Sequence, residues 1–112
     1  MTIFIKIIDK EIPADIVFED DLCLAFRDIN PQAPVHIQII PKRELVNVLD
    51  AKKGDEELLG YLLVKAADIA RKEGIAEDGF RLVLNNGRQA GQSVDHLHIH
   101  ILGGRPMAWP PG

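Results

Sequence analysis

The chain has 112 residues, 46% of them hydrophobic and 27% charged, with a formal charge of −4 at pH 7. That length supports one compact core and not two ordinary domains, so a single domain over residues 1–112 is expected. The acidic balance and the scattered Lys and Arg give no field for binding nucleic acid by counterion release, and no segment reaches the ~18 unbroken apolar residues that cross a bilayer.

The opening "MTIFIKIIDKEIP" is apolar but broken at Lys6 and Asp9, and it carries no cleavage-site pattern of a signal peptide. Residues 3–8 predict a short helix that ends before Pro13. "DIVFEDDLCLAFRDI" places β-branched and aromatic residues on both sides of Glu19–Asp21, the pattern of a hairpin with an acidic turn, although the turn lacks Asn-Gly or Asp-Gly. Within it Cys23 is the only cysteine. It has no partner for an intrachain disulfide, and its apolar neighbours Leu22, Leu24 and Ala25 mark it as a buried small hydrophobe of a reducing, cytoplasmic protein.

The two prolines of "NPQAP", residues 30–34, punctuate the chain before a third strand over 35–40, terminated at Pro41. In that strand His36 and Gln38 alternate with Val35, Ile37 and Ile39, so the two polar side chains share a face. From Asp55 to Glu73 the spacing of Leu58, Leu59, Leu62, Leu63, Ala66, Ile69 and Ala70 predicts the main helix. Its acidic start (Asp55, Glu56, Glu57) and basic end (Arg71, Lys72) suit the helix dipole, and Gly74 is its stop. A fourth strand is expected in "GFRLVLN", a glycine-containing loop in "NGRQAGQS" and a fifth strand over 96–102, followed by a proline-rich tail with the only tryptophan.

The fifth strand holds His96, His98 and His100 on alternate positions, which puts three imidazoles on one face, while Leu97, Ile99 and Ile101 face the helix. If the strands at 35–40 and 96–102 pair, all four histidines of the chain meet on one surface of a sheet otherwise buried on its other side. One histidine on an apolar strand is ordinarily core filling; three in alternation with a fourth in register point to chemistry. Zinc is one option, but Cys23 is isolated and no Cys-x-x-Cys is present. The other is phosphoryl chemistry, with one imidazole attacking phosphorus and its neighbours donating to anionic oxygens. Gly87 and Gly91, immediately upstream, let a loop turn backbone N–H groups toward a phosphate. This loop is not a Walker A motif, since no Gly-Lys-Ser/Thr follows.

"QSVDHLHIHILGG" resembles the His-x-His-x-His signature of the histidine triad (HIT) superfamily. "FEDDLCLAFRDINPQAPVHIQIIPK" and "LGGRPMAWPPG" resemble its nucleotide-binding (Hint) branch, so the similarity extends from Ile3 to Gly112. The resemblance implies an α+β fold with a five-stranded antiparallel sheet, one long helix and a short N-terminal helix, and a homodimer in which two sheets join. It implies a cofactor-free hydrolase that cleaves the P–N bond of purine nucleoside 5′-phosphoramidates to release AMP or GMP and an amine. Related activities of the superfamily are dinucleoside polyphosphate hydrolysis and nucleotidyl transfer; a purine-nucleotide-binding regulatory module with little turnover is a further alternative, and a zinc-binding adaptor another.

Carried over by motif position, His98 is the nucleophile, His100 contacts the phosphate, and His96 and His36 complete an imidazole relay. Ser93 helps protonate the leaving amine. Gly91 and Gln92 line the phosphate, Asn85 lies on the phosphate or sugar side, and Asp28 is the ribose-binding carboxylate with Ile29 beside the base. Ile3, Phe4 and Phe26 are candidates for the base pocket or for the core. Some members of the family bind zinc through an N-terminal Cys-x-x-Cys; Thr2 and Ile5 stand at those positions here, so no metal is expected. Asp95 stands where an aromatic residue is usual, either tuning substrate choice or facing solvent. Ala108 replaces a frequent histidine, and Trp109 is either a substrate-side aromatic or an interface anchor.

Overall fold

Thr2, at one of the positions where relatives of the resembled family place cysteine, does a different job: its side chain accepts the Ile5 N–H at 3.3 Å and caps α1, Ile3–Ile8. The computed structural model describes residues 1–112. After α1 come β1 (Ile16–Glu19), β2 (Cys23–Arg27), β3 (Val35–Pro41), α2 (Glu56–Lys72), β4 (Phe80–Val83) and β5 (Ile99–Gly103). The five strands form one sheet in the order β1-β2-β3-β5-β4, with every neighbouring pair antiparallel. This is the expected α+β architecture, and no helix is long and apolar enough to cross a membrane.

The acidic hairpin turn works without Asn-Gly because Asp20 supplies the missing hydrogen bonds. Its Oδ1 accepts the N–H groups of Leu22 and Cys23, each at 2.9 Å, an Asx-type turn made by the side chain. Two boundaries differ from the sequence expectation. Pro41 remains in β3, opposite Cys23; as the last residue of the strand it has no further ladder bond to donate. The last strand begins at Ile99 rather than His96, because its ladder with β3 ends at the Ile39–Ile99 pair, while β3 itself continues to Pro41 paired only with β2. Before that point the extended chain lies against the loop that follows β3, and Leu97 donates its N–H to the Leu45 carbonyl at 2.6 Å.

Alternation then sorts the side chains onto two faces. On one, Leu62, Ala66, Ile69 and Ala70 of α2 cover Cys23, Ala25, Ile37, Ile39, Leu97, Ile99 and Ile101, as the helical stripe and the strand period require. Burial of each such side chain contributes ~1.5–3 kcal/mol for the larger ones. The opposite face is not the bare imidazole surface expected from sequence. Phe4 and Ile7 of α1 pack there on Leu24, Phe26 and Ile40 and close a second, smaller core. α1 therefore covers part of the histidine face, with Phe4 against the His96 and His98 rings, which leaves the imidazoles at the edge of an apolar cluster.

Two expected results follow from this packing. A Cβ at Gly103 would sit 2.6 Å from Ile75 Cδ1 and 2.8 Å from Ile75 Cβ, so Gly103→Ala is expected to destabilise the fold by ~1–3 kcal/mol, read as a lower urea midpoint at unchanged slope. Cys23 is fully buried, and desolvation together with the nearby Asp20 carboxylate pushes its thiol up to about 12. The native protein is expected to resist thiol reagents at neutral pH, with modification appearing only on unfolding.

Candidate active site

Register brings the histidines together. His36 lies two residues before Gln38, which is paired with His100 across the β3–β5 ladder, and the two rings meet directly. His36 Nε2 and His100 Nδ1 are 2.9 Å apart. The rings of His98 and His100 stand edge to face with centroids 5.1 Å apart. Phe4 of α1 closes the other side of His98, edge to face at 5.0 Å.

The hydrogen bonds fix which nitrogen of each imidazole carries its proton. His36 Nδ1 accepts the Gln32 backbone N–H at 3.0 Å, so in the neutral ring Nε2 is protonated and donates to His100 Nδ1. His100 must then hold its own proton on Nε2, as a donor available to a ligand. His98 Nδ1 lies 2.7 Å from the His96 carbonyl; a carbonyl only accepts, so Nδ1 carries the proton and Nε2 keeps a free lone pair. His96 is arranged differently from its neighbours. Its Nε2–H is spent on the Pro41 carbonyl at 2.8 Å, and it acts on His98 through its backbone oxygen.

Burial keeps the rings of His36, His98 and His100 neutral. Desolvation lowers the pKa of His36 and of His98, the neighbouring Asp28 carboxylate opposing the shift in both. His100 is brought down to about 4, by desolvation first and by the adjacent His98 and His36 second. At pH 7 the cluster thus presents one neutral imidazole with an exposed lone pair function and one neutral imidazole with a free N–H, which is the nucleophile-and-donor pair that attack at phosphorus requires.

The glycine loop joins β4 to the triad segment. Gly87 and Gly91 take positive φ of 87° and 83°, conformations that glycine adopts without a Cβ penalty. The amides of Gly91 and Gln92 are used inside the loop, donating to the carbonyls of Arg88 and Gly87 at 3.0 and 3.1 Å. The Gln92 side chain is a clamp: its Oε1 accepts from Gly87 N–H at 2.8 Å, and its Nε2 donates to the Val46 and Val94 carbonyls at 2.6 and 3.0 Å. Ser93 follows as an exposed residue, and half-buried Asn85 sits at the end of β4. Asp95 faces solvent.

Asp28 stands on the other flank of the cluster. Its Oδ1 accepts the Asn30 N–H at 2.8 Å, and its Oδ2 accepts from Gln38 Nε2 at 2.7 Å. Ile29 is fully exposed beside it. Of the three apolar candidates for a base pocket, Phe4 and Phe26 are buried against one another with ring centroids 5.5 Å apart, whereas Ile3 is exposed. Trp109 is 83% exposed, with the tail held by Arg81 Nη2 donating to the Ala108 carbonyl at 2.8 Å. Gln32, Pro41 and Asn47, which orient His36, His96 and the Gln92 clamp, were invisible in the sequence because each acts through a group that only the fold sets against its partner.

Asp28, His36 and His100 offer three ligand atoms within 4.8 Å of one another. They fit a metal ion poorly. To ligate through Nε2, His36 would have to move its proton to Nδ1, directly in front of the Gln32 N–H that now donates there.

A HIT domain matches residues 9–107. The chain belongs to the histidine triad family. This HIT protein is 57% identical over 106 residues to the purine nucleoside phosphoramidase of Escherichia coli K12, covering 95% of the chain and 89% of the relative. It is 57% identical over 113 residues to the 14 kDa zinc-binding protein of Zea mays, covering 99% and 88%. Among solved structures, the HIT family hydrolase of Legionella pneumophila superposes with a TM-score of 0.98 at 51% identity, each chain covered completely. The protein is a hydrolase of this family.

Proposed function

We propose that this HIT hydrolase cleaves purine nucleoside 5′-phosphoramidates, releasing the nucleoside monophosphate and an amine. One observation carries the reading: His98 Nδ1–H is tied to the His96 carbonyl, leaving a neutral Nε2 lone pair on a ring packed edge to face against His100. The 57% identity to a purine nucleoside phosphoramidase supports the substrate class.

In this reading His98 Nε2 attacks the α-phosphorus and forms a P–N bond to the imidazole as the bond to the leaving amine breaks. The amine takes a proton from solvent, relayed through the exposed Ser93, because an amide anion would be too basic to depart. His100 Nε2–H meets the developing charge on a phosphoryl oxygen, while His36 Nε2–H, bonded to its Nδ1, fixes the ring's tautomer. Gly91, Gln92 and Asn85 shape the phosphate side, and Asp28 with Ile29 receives the ribose and base. Water then attacks phosphorus, the P–N(His98) bond breaks, and the monophosphate leaves with the imidazole restored. A leaving nitrogen accepts this proton more readily than an alkoxide-type oxygen, which favours P–N over P–O cleavage.

The assembly proposed is a homodimer, expected to sediment at about twice the chain mass of 12.5 kDa; a monomer at micromolar concentration would remove it. The testing experiment is incubation with a fluorogenic adenosine 5′-phosphoramidate in the presence of excess chelator. Release of AMP at an undiminished rate supports the reading. A folded protein that binds AMP without turnover points instead to a nucleotide-binding module, and activity lost to chelator and restored by zinc would contradict metal-free chemistry.

A further inference from the structure

Gln38 lies on the histidine face of β3, two residues past His36, opposite Phe26 on β2 and His100 on β5, yet it takes no part in the imidazole relay. It is only 9% exposed. Its Nε2 donates to Asp28 Oδ2 at 2.7 Å, and its Oε1 is buried with no donor. Half of a buried amide is therefore unsatisfied at a strand position where an aliphatic residue would extend the apolar cluster. A side chain that costs stability in this way is held by what its other half does. The carboxylate fixes the amide's orientation, since the reversed amide would place Oε1 against Oδ2.

Two donors compete for that carboxylate oxygen. His36 Nε2 is 3.4 Å from Asp28 Oδ2 and 2.9 Å from His100 Nδ1. With Gln38 donating to Oδ2 and the Asn30 N–H to Oδ1, at 2.7 and 2.8 Å, the carboxylate is held at both oxygens. Each oxygen keeps acceptor capacity for one further hydroxyl. Without the Gln38 donor, the carboxylate is free to turn onto His36 and draw its N–H away from His100.

We propose that Gln38 is a positioning residue that makes the site selective for a ribonucleoside: its amide aims the Asp28 carboxylate at a cis-diol and keeps it off His36. The inference rests on the phosphoramidase reading given above. Its consequence is a preference for ribose over 2′-deoxyribose substrates that depends on a residue touching neither sugar nor phosphate.

The experiment measures kcat and KM for the matched adenosine and 2′-deoxyadenosine 5′-phosphoramidates with wild type, Gln38→Met and Gln38→Leu. Both variants fill the space with an aliphatic side chain and remove the donor to Asp28. Thermal midpoints report folding for each, so that one folded variant suffices. The expected result is a fall of about tenfold in the ratio of kcat/KM values, ribose over deoxyribose, mostly through KM for the ribose substrate. A wild-type ratio retained in a folded variant overturns the role of Gln38 while leaving the phosphoramidase reading intact. A wild-type enzyme that turns over neither substrate overturns that reading, and the inference falls with it.

Discussion

Replacing His98 by alanine is expected to lower phosphoramidate turnover by about 10⁴-fold or more, while AMP binds within about threefold of its wild-type affinity. The large loss follows from the division of labour among the imidazoles. His98 alone combines a neutral ring with an unprotonated Nε2 free of protein donors, because its Nδ1–H is held by the His96 carbonyl. His100 cannot substitute, since its Nδ1 is occupied by His36 and its Nε2 carries the proton. The Phe4 edge that packs on His98 is left facing a cavity, so the variant's thermal midpoint must be recorded beside its activity. Wild type quenched in alkaline denaturant, where a P–N bond to imidazole survives, should hold nucleotide on His98, visible as a mass adduct on the 96–100 segment. A folded His98→Ala protein with more than a hundredth of wild-type turnover would require another nucleophile.

Acidification is expected to unfold the protein in two separate windows. His36, His98 and His100 have native pKa values below those of an unfolded histidine, His100 at about 4. Between the unfolded value of ~6.5 and the native value, the unfolded chain binds protons that the native state does not. Stability therefore falls as pH drops through ~6.5 and continues falling to about 4, by on the order of 1–3 kcal/mol for His100 alone. Asp20 acts in the same direction but lower down. Burial raises its carboxyl, but hydrogen bonds from Tyr61 and from the Cys23 and Leu22 amides outweigh this and bring it to about 2. Its contribution is complete above the unfolded carboxylate value of ~3.9 and is lost as pH falls toward 2. Urea midpoints taken from pH 7.5 to 4.5 isolate the histidine window. There, His100→Asn should flatten the slope, and an unchanged slope would show that the ring is not neutral by burial. Turnover should fall in the same window, as protonation removes the His98 lone pair.

The period of the sequence carried most of the fold. Alternation in 35–40 and 96–102 put aliphatic side chains on the α2 face and histidines on the other, and the spacing of Leu62, Ala66, Ile69 and Ala70 matched that face. The site residues named from the triad motif do cluster, with His36, His98 and His100 in ring contact. Less legible were the groups that act at a distance along the chain. Gln38 could be placed on the histidine face from its spacing alone, but its bond to Asp28 joins a residue of β3 to one just past the end of β2. The Gln92 clamp reaches 46 residues back to Val46, and no local pattern encodes such a partner.

Side-chain identity and spacing by themselves determined the class of chemistry: four imidazoles, two strands of matching period and a glycine-bearing loop. The tertiary structure decided which nitrogen of each imidazole is free. A ring has two similar nitrogens, and its tautomer is chosen by the donor or acceptor that the fold sets against one of them. The Gln32 amide, the Pro41 carbonyl and the His96 carbonyl make that choice here, and α1, by roofing the face, removes the water that would otherwise make the choice unimportant.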